Sequence, residues 1–89
     1  MYWNAVNNAS YCFMSKFKYP GATIYMSRNF YNELEREMIG AQWLALIKQN
    51  SVRGMNIIID DSQELFTIRG SRGDEIVITD MSVTKFSQF

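Results

Sequence analysis

The sequence contains no histidine, one cysteine and one proline. Without histidine, the chain has no imidazole to act as a general base or as a metal ligand. The lone Cys12 cannot form an intramolecular disulfide, and a thiol with no base beside it is usually a small buried hydrophobe. These absences exclude the common catalytic and zinc sites, and we expect a protein that is not an enzyme and that uses no metal and no cofactor.

Acidic residues are absent from residues 1–31, although nine Asp and Glu balance nine Lys and Arg over the whole chain. Overall neutrality argues against a protein that coats nucleic acid through bulk electrostatics. The same N-terminal third carries nine of the thirteen aromatic residues. We therefore expect a polarised surface, with basic and aromatic side chains in one region and acidic side chains in another.

Long hydrophobic runs are also absent, and residues 1–10 contain no basic segment followed by an apolar one. The pattern indicates neither a membrane span nor a secretion signal, so we expect a cytoplasmic protein. A composition of 47% hydrophobic and 20% charged residues is typical of a globular chain, and its 89 residues suffice for one domain.

The side chains of residues 11–19 alternate in type, so that in an extended chain the aromatic rings at positions 11, 13, 17 and 19 would share one side. This period of two is typical of a strand. Pro20-Gly21 is a turn pair, because proline fixes φ and glycine accepts a positive φ. Residues 22–26 then read as the returning strand, and the sequence predicts a hairpin over residues 11–26.

A helix is predicted from about residue 30 to residue 49, with Ser27 or Asn29 as its cap. At 100° per residue the helix has two apolar faces. The first face, expected to lie on the sheet, carries Phe30, Tyr31, Leu34, Met38, Ala41 and Ala45. The second carries Ile39, Trp43, Leu46 and Ile47.

A helix with two apolar faces needs cover on both. We predict a homo-oligomer, with a dimer favoured, in which the second face is the interface. The alternative is cover within the same chain, by Tyr2 and Trp3 or by Phe86 and Phe89.

The C-terminal half predicts three strands. The run Ile57-Ile58-Ile59 is typical of a central strand that is covered on both faces. Residues 64–69 and 75–81 alternate, which predicts a hairpin whose buried side chains are Phe66, Ile68, Ile76 and Ile78. Its five-residue loop, 70–74, places Arg69 opposite Glu75. In the tail, residues 82–89, apolar and polar side chains alternate weakly. We interpret the tail as a sixth strand, an exchanged arm or a frayed end. The element order predicts an α+β fold, with one main helix packed on an antiparallel sheet of about five strands.

Two basic segments are candidate contact sites for a partner or an anion. Arg69, Ser71 and Arg72 lie in a loop with two glycines, whose amides can form a concave donor set for phosphate. Lys16 and Lys18 alternate with aromatic residues, as in surfaces that stack nucleic-acid bases. The alternatives are a solvated hairpin tip and an aromatic sheet core. Asp60-Asp61, with Glu64 or Asp80, is a weak candidate magnesium site, and we prefer to interpret it as an ordinary turn.

These features predict a small non-enzymatic binding protein that self-associates and blocks a surface of another protein or protein complex. Its size, missing catalytic side chains and surplus apolar surface resemble the small inhibitors that phages encode against bacterial defence systems, anti-CRISPR proteins among them. The resemblance is one of general character and carries over no residue. The alternatives are a ligand sponge or nucleic-acid-binding protein that uses the two basic segments, and a phage structural or assembly component.

Overall fold

The computed structural model describes residues 1–81, and the predicted α+β fold is confirmed. The elements in chain order are α1 (Tyr2–Phe17), β1 (Thr23–Met26), α2 (Arg28–Glu37), α3 (Leu44–Lys48), β2 (Ser51–Val52), β3 (Met55–Ile59), β4 (Phe66–Arg69) and β5 (Glu75–Ile78). The predictions for the tail 82–89 lie outside the described residues.

The five strands form one sheet in the order β2-β3-β1-β4-β5. Most neighbours are antiparallel, as predicted, but β1 and β3 are parallel. The parallel pair arises because the chain crosses over through α2 and α3 between these two strands, as parallel strands require. The centre of the sheet is therefore β1, and β3 lies between β1 and the short edge strand β2.

The prediction that the Ile57-Ile58-Ile59 run is covered on both faces is wrong. Ile57 lies in the core, whereas Ile58 is 45% exposed. Tyr25 lies beside Ile58 on the same sheet face and is only half-buried. The core side chains of the sheet alternate with these outward residues because the sheet has one covered face. A continuous apolar run thus does not require two covered faces.

The predicted hairpin over residues 11–26 is also wrong in its first half, because residues 2–17 are helical. The buried side chains of α1 recur at helical spacing: Ala5, Val6, Ala9, Cys12 and Phe13. Position 13 satisfies both the period of two and the helical period, so the alternation was ambiguous. The helix ends at Lys18, which has a left-handed φ of 68° and donates its amide to the Met14 carbonyl. The returning strand is confirmed as β1.

The predicted helix over residues 30–49 is two helices separated by a turn. Gly40 lies in this turn with φ at 86°, a left-handed value that glycine adopts without strain. Ser27 is the cap, as one alternative predicted, since its hydroxyl accepts from the Phe30 amide at 3.1 Å. The interruption places Ala41 and Ala45 at the surface, not on the sheet as predicted.

The predicted hairpin of β4 and β5 is confirmed. Phe66, Ile68, Ile76 and Ile78 are all buried. Arg69 lies opposite Glu75 in the register of the two strands, as the loop length predicted. The described strands are shorter than the predicted ones because β4 begins at Phe66 and β5 ends at Ile78.

Helix α1 is held at its N-terminal end by Glu37, the last residue of α2. The Glu37 carboxylate accepts from the backbone amides of Tyr2 at 2.9 Å and Trp3 at 3.0 Å, and from the N-terminal ammonium at 3.0 Å. These donors have no partner within α1, because the first amides of a helix are unsatisfied. Beside this contact, Tyr2 packs edge-on against Phe30, with ring centroids 5.3 Å apart.

The C-terminal end of α1 lies against the loop of the β4–β5 hairpin. A Cβ atom added at Gly70 would overlap the Tyr19 hydroxyl and would lie 2.6 Å from Phe13 Cζ. Phe13 and Tyr19 also contact each other edge to face, with centroids 5.5 Å apart. Glycine is therefore required at position 70 by the close approach of these two rings.

We predict that Glu37→Gln destabilises the fold by about 1–2 kcal/mol at pH 7, because the charged acceptor at the start of α1 is lost. Partial burial acts to raise the pKa of Glu37, but the hydrogen bonds from Trp3, Tyr2 and the ammonium outweigh it and hold the pKa below that of a free glutamate. A lowered folded-state pKa contributes stability above the unfolded-state pKa, and this contribution is lost as the pH falls through the folded value. The difference between the two proteins should thus be constant from pH 7 to about pH 5 and shrink below about pH 4.

Urea denaturation across this pH range measures the effect. Glu33→Gln is the matched control, because Glu33 forms an exposed ion pair with Arg36 at 2.8 Å on the same helix. The control should change the free energy of unfolding by less than about 0.5 kcal/mol. Equal losses in the two variants would contradict a specific role for Glu37.

We also predict that Gly70→Ala lowers the free energy of unfolding by about 1–3 kcal/mol, because the methyl group forces Tyr19 and Phe13 to move. Ser71→Ala, in the same loop and exposed, should change it by less than about 0.5 kcal/mol. Thermal denaturation of the three proteins tests the prediction, and a Gly70→Ala protein as stable as the parent would show that the contact is loose.

Candidate binding surfaces

The structure separates the four residues of the predicted oligomer interface. Ile47 is fully buried in the core of its own chain, and its carbonyl accepts from the Tyr31 hydroxyl at 3.2 Å. Ile39 is 72% exposed and lines a groove with residues of α2 and with Leu44. Trp43 and Leu46 share a different groove. The division follows from the turn at Gly40, which ends the single helical period on which the prediction depended.

Trp43 lies against Trp3 of α1. The two indole rings are almost parallel, at 9°, with centroids 6.3 Å apart. Trp43 is nevertheless 44% exposed, as is Leu46. Together with Arg53 and Gly54 these side chains line a groove of about 160 Å³. The alternative in which the N-terminus covers the second helix face is thus partly realised, since Trp3 covers Trp43 from one side only.

Arg53 extends this groove toward the middle of α1. Its guanidinium carbon lies 4.8 Å from the ring centroid of Tyr11, within range of a cation–π contact. Tyr11 is 57% exposed. We call the set Trp3, Tyr11, Trp43, Leu46 and Arg53 the tryptophan surface. Trp3 was expected here only as an alternative cover of the second helix face, and Tyr11 and Arg53 were not among the predicted site residues. The spacing of eight residues between Trp3 and Tyr11 was the signal that could have placed both on one face of a helix.

The two predicted basic segments meet at Tyr19. Its hydroxyl donates to Asp74 at 2.9 Å and accepts from the Arg72 amide at 3.3 Å. The Arg72 guanidinium carbon lies 4.6 Å from the Tyr19 ring centroid. Lys18 directly precedes Tyr19, so the end of α1 and the hairpin loop adjoin. We call Lys16, Lys18, Arg69, Ser71 and Arg72, all of which are exposed, the basic surface.

The amides of the hairpin loop already have partners within the chain. The Gly70 amide donates to the Asp74 carbonyl at 2.9 Å, and the Gly73 amide donates to the Gly70 carbonyl at 3.0 Å. With the Arg72 amide on Tyr19, three of the donors that could have surrounded a phosphate are engaged. An anion on the basic surface would have to be bound by guanidinium and ammonium groups instead.

Asp60 and Asp61 act in local structure. Asp60 accepts from the amide and hydroxyl of Ser62, at 3.0 and 2.6 Å, and from the Gln63 side chain at 3.2 Å. The Ser62 hydroxyl, followed by Gln63, lowers the pKa of Asp60. Asp61 accepts from the Arg28 amide at 2.9 Å, at the start of α2. Within residues 1–81, His, Cys, Asp and Glu form no group of three or more that could hold a metal ion.

Cys12 is buried in α1, as predicted. Desolvation raises the pKa of its thiol, and the nearby Lys16 offsets this only in part. The thiol is therefore protonated at neutral pH, which makes it a poor nucleophile.

No helix in the described part of the chain is long and apolar enough to cross a membrane. Comparison with protein-family models, with curated proteins and with solved structures finds no match to this chain.

Proposed function

We propose that the protein is a non-enzymatic binding protein that occupies a surface of another protein through its tryptophan surface. The observation that carries this proposal is the stacked pair of Trp3 and Trp43. Trp43 remains 44% exposed, and both residues line a groove. Tryptophan, tyrosine and arginine are the residue types that most often dominate binding free energy at protein interfaces. The tryptophan surface brings all three together from separate parts of the sequence.

The position of these side chains also supports the proposal. Trp3 and Tyr11 project from α1, Trp43 from the turn before α3, and Arg53 from the turn between β2 and β3. Their backbones thus belong to three different parts of the fold, namely α1 and two turns that adjoin helix or strand residues. Side chains on an ordered scaffold lose less conformational entropy on binding than those on a loose segment. A standard interface buries about 800 Å² on each partner, so the tryptophan surface would form the centre and its polar neighbours the rim.

Self-association stays a prediction. Of the four residues expected at the interface, only Trp43 and Leu46 lie on one surface. A dimer that uses them would bury the tryptophan surface and compete with another partner. We extend the proposal to an inhibitory role in the cytoplasm, of the general kind that phages encode against host defence. The buried free thiol of Cys12 is in keeping with a reducing compartment.

We predict that Trp43→Glu abolishes partner capture while the chain stays folded. A charge within the groove prevents apolar contact, whereas the exposed position of Trp43 limits the loss of unfolding free energy to about 1–2 kcal/mol. Affinity purification from the native host measures capture, and light scattering measures the mass of the bait. Ile58→Glu is the matched control, because Ile58 is exposed to nearly the same degree, 45% against 44%, on the open face of the sheet.

The two variants separate the outcomes. A partner retained by Ile58→Glu and lost by Trp43→Glu supports the proposal. Equal capture by both variants would refute it. A dimeric parent protein that Trp43→Glu converts to a folded monomer would confirm self-association, and a strictly monomeric parent at tens of micromolar would exclude it under those conditions.

A second candidate function is binding of a nucleic acid or phosphate ligand by the basic surface. The observation that favours it is the pair of hydrogen bonds that the Tyr19 hydroxyl forms with Asp74 and Arg72, because they join the hairpin loop to the end of α1. These bonds join two segments of the basic surface whose contacting residues are 53 and 55 positions apart in the chain, and each segment carries cations. Asp74 and Glu75 lie next to these cations and weaken the local positive potential.

Salt dependence tests this second function. If Lys16, Lys18, Arg69 and Arg72 each neutralise one phosphate of single-stranded DNA, the logarithm of the binding constant should fall with a slope of about −3 against the logarithm of salt concentration. The double variant Arg69→Ala and Arg72→Ala should reduce the slope to about −1.4 and change stability by less than about 1 kcal/mol. Fluorescence polarisation with a labelled oligodeoxythymidine measures the slope, and binding that is absent at 50 mM salt would exclude this function.

A further inference from the structure

Arg53 occupies a backbone position that does not suit arginine. It has φ at 54° and is followed by Gly54 with φ at 78°, and together they form the two-residue turn that pairs Val52 with Met55. A tight hairpin turn with two positive φ values favours asparagine followed by glycine. Arginine in the left-handed region has a steric disadvantage that asparagine largely avoids. The local backbone therefore gives no reason for arginine here.

The side chain of Arg53 has no carboxylate partner in the described part of the chain. Among the described residues, Glu37 pairs with the N-terminal ammonium and Glu33 pairs with Arg36. The Arg53 guanidinium lies over the Tyr11 ring instead, which leaves its donor groups at the rim of the groove. Within the described part of the chain, the remaining lining is apolar or small and contains no acid: Trp3, Trp43, Leu46 and Gly54. An apolar groove with one unpaired cation at its rim results.

We propose that this groove binds an acidic peptide segment of the partner protein. A carboxylate of the segment pairs with Arg53, and a neighbouring aromatic or aliphatic side chain enters the groove against Trp43 and Leu46. Guanidinium is suited to this role, because its fork geometry matches a carboxylate with two parallel hydrogen bonds. The inference rests on the proposed function and specifies the chemistry that the tryptophan surface would recognise.

The size and charge of the groove favour this occupant over others. Its volume of about 160 Å³ suits one side chain, since sites for whole small-molecule ligands usually measure about 300–1,000 Å³. A nucleic acid gains affinity from several phosphate contacts, and among residues 1–81 Arg53 is the single cation that lines the groove. Gly54 adds no side chain that would close it, and a Cβ atom there would meet nothing within 4 Å.

Tryptophan fluorescence reports directly on this groove, because the chain has two tryptophans and both line it. The probe is the tripeptide acetyl-Glu-Phe-Glu-amide, whose phenylalanine does not absorb at the excitation wavelength of tryptophan. We expect a saturable change in emission with a dissociation constant near 1 mM, as is usual for a fragment of this size. Acetyl-Gln-Phe-Gln-amide, which lacks the charges, and acetyl-Glu-Ala-Glu-amide, which lacks the ring, should each bind about tenfold more weakly.

Arg53→Asn removes the charge and keeps a residue that the turn favours. This variant should have a melting temperature equal to or above that of the parent protein, and it should bind the Glu and Gln peptides equally. Arg53→Lys keeps a cation without the fork geometry, so it should retain part of the preference. A preference for the Glu peptide that survives in Arg53→Asn would overturn the role of Arg53.

The remaining outcomes are also decisive. Equal binding of the Glu and Gln peptides to the parent, with loss of both in Trp43→Ala, would overturn the acidic segment but leave protein binding by this surface intact. No binding of any peptide up to 10 mM would overturn the inference, whereas the proposed function is judged separately by host capture with Trp43→Glu. Competition by oligodeoxythymidine alone would assign the groove to nucleic acid. A dimer that occupies the groove at the assay concentration would assign it to a second copy.

Discussion

The carboxylate of Glu37 is the contact on which the arrangement of the helices depends. It joins the end of α2 to the free amides of Tyr2 and Trp3, which begin α1. A helix N-terminus carries a partial positive charge, so an acid at this position satisfies both the hydrogen bonds and the charge. With α1 fixed there, Val6, Ala9 and Phe13 lie in the core and close the covered side of the sheet. The same contact lies beside Trp3, whose ring stacks on Trp43 within the tryptophan surface.

The C-terminal half was predictable because its signals are local. The alternation of β4 and β5 places Phe66 and Ile68 on one face, and the glycine-containing loop sets the register that puts Arg69 opposite Glu75. The N-terminal helix was not predictable from the same kind of signal. Aromatic residues between positions 11 and 19 fit a strand, and the asparagines of residues 4–8 are poor helix formers. The helical spacing of Ala5, Val6, Ala9, Cys12 and Phe13 competes with that alternation, and the contact with the distant Glu37 lies outside any local pattern.

The candidate site shows the same division. The sequence showed that Trp43 and Leu46 add surplus apolar surface, because a single helix that packs one face on a sheet leaves its opposite face uncovered. Its shape was not visible, because a turn that contains Gly40 separates α2 from α3, and Ile47 of α3 lies in the core. Arg53 carries no sequence signal beyond an Arg-Gly pair, and Tyr11 was assigned to the wrong kind of element. These two residues meet only after α1 and the β2–β3 turn have been brought together by the fold.

Exposure of apolar side chains has different meanings in different parts of this molecule. Ile58 and Val77 are exposed on the open face of the sheet, but the row that contains them passes through Tyr25 and the buried hydroxyl-bearing Thr67. Single apolar side chains among polar ones are normal on a protein surface. Around Trp43, by contrast, two indoles, a leucine and a stacked tyrosine–arginine pair are contiguous.

A chain of this size has on the order of 4 to 13 kcal/mol of net stability, so the cost of one half-exposed tryptophan and one left-handed arginine is a measurable fraction of it. Ile47, four residues after Trp43, lies in the core. The isolated chain would have been more stable if Trp43 were buried there as well. Asparagine at position 53 would likewise have reduced the steric cost of the positive φ in the turn. Both departures from local stability occur at one surface. Residues that lower the stability of the free protein and lie together are expected where a partner supplies the missing contacts, and this coincidence is the physical reason to test the tryptophan surface before any other part of the molecule.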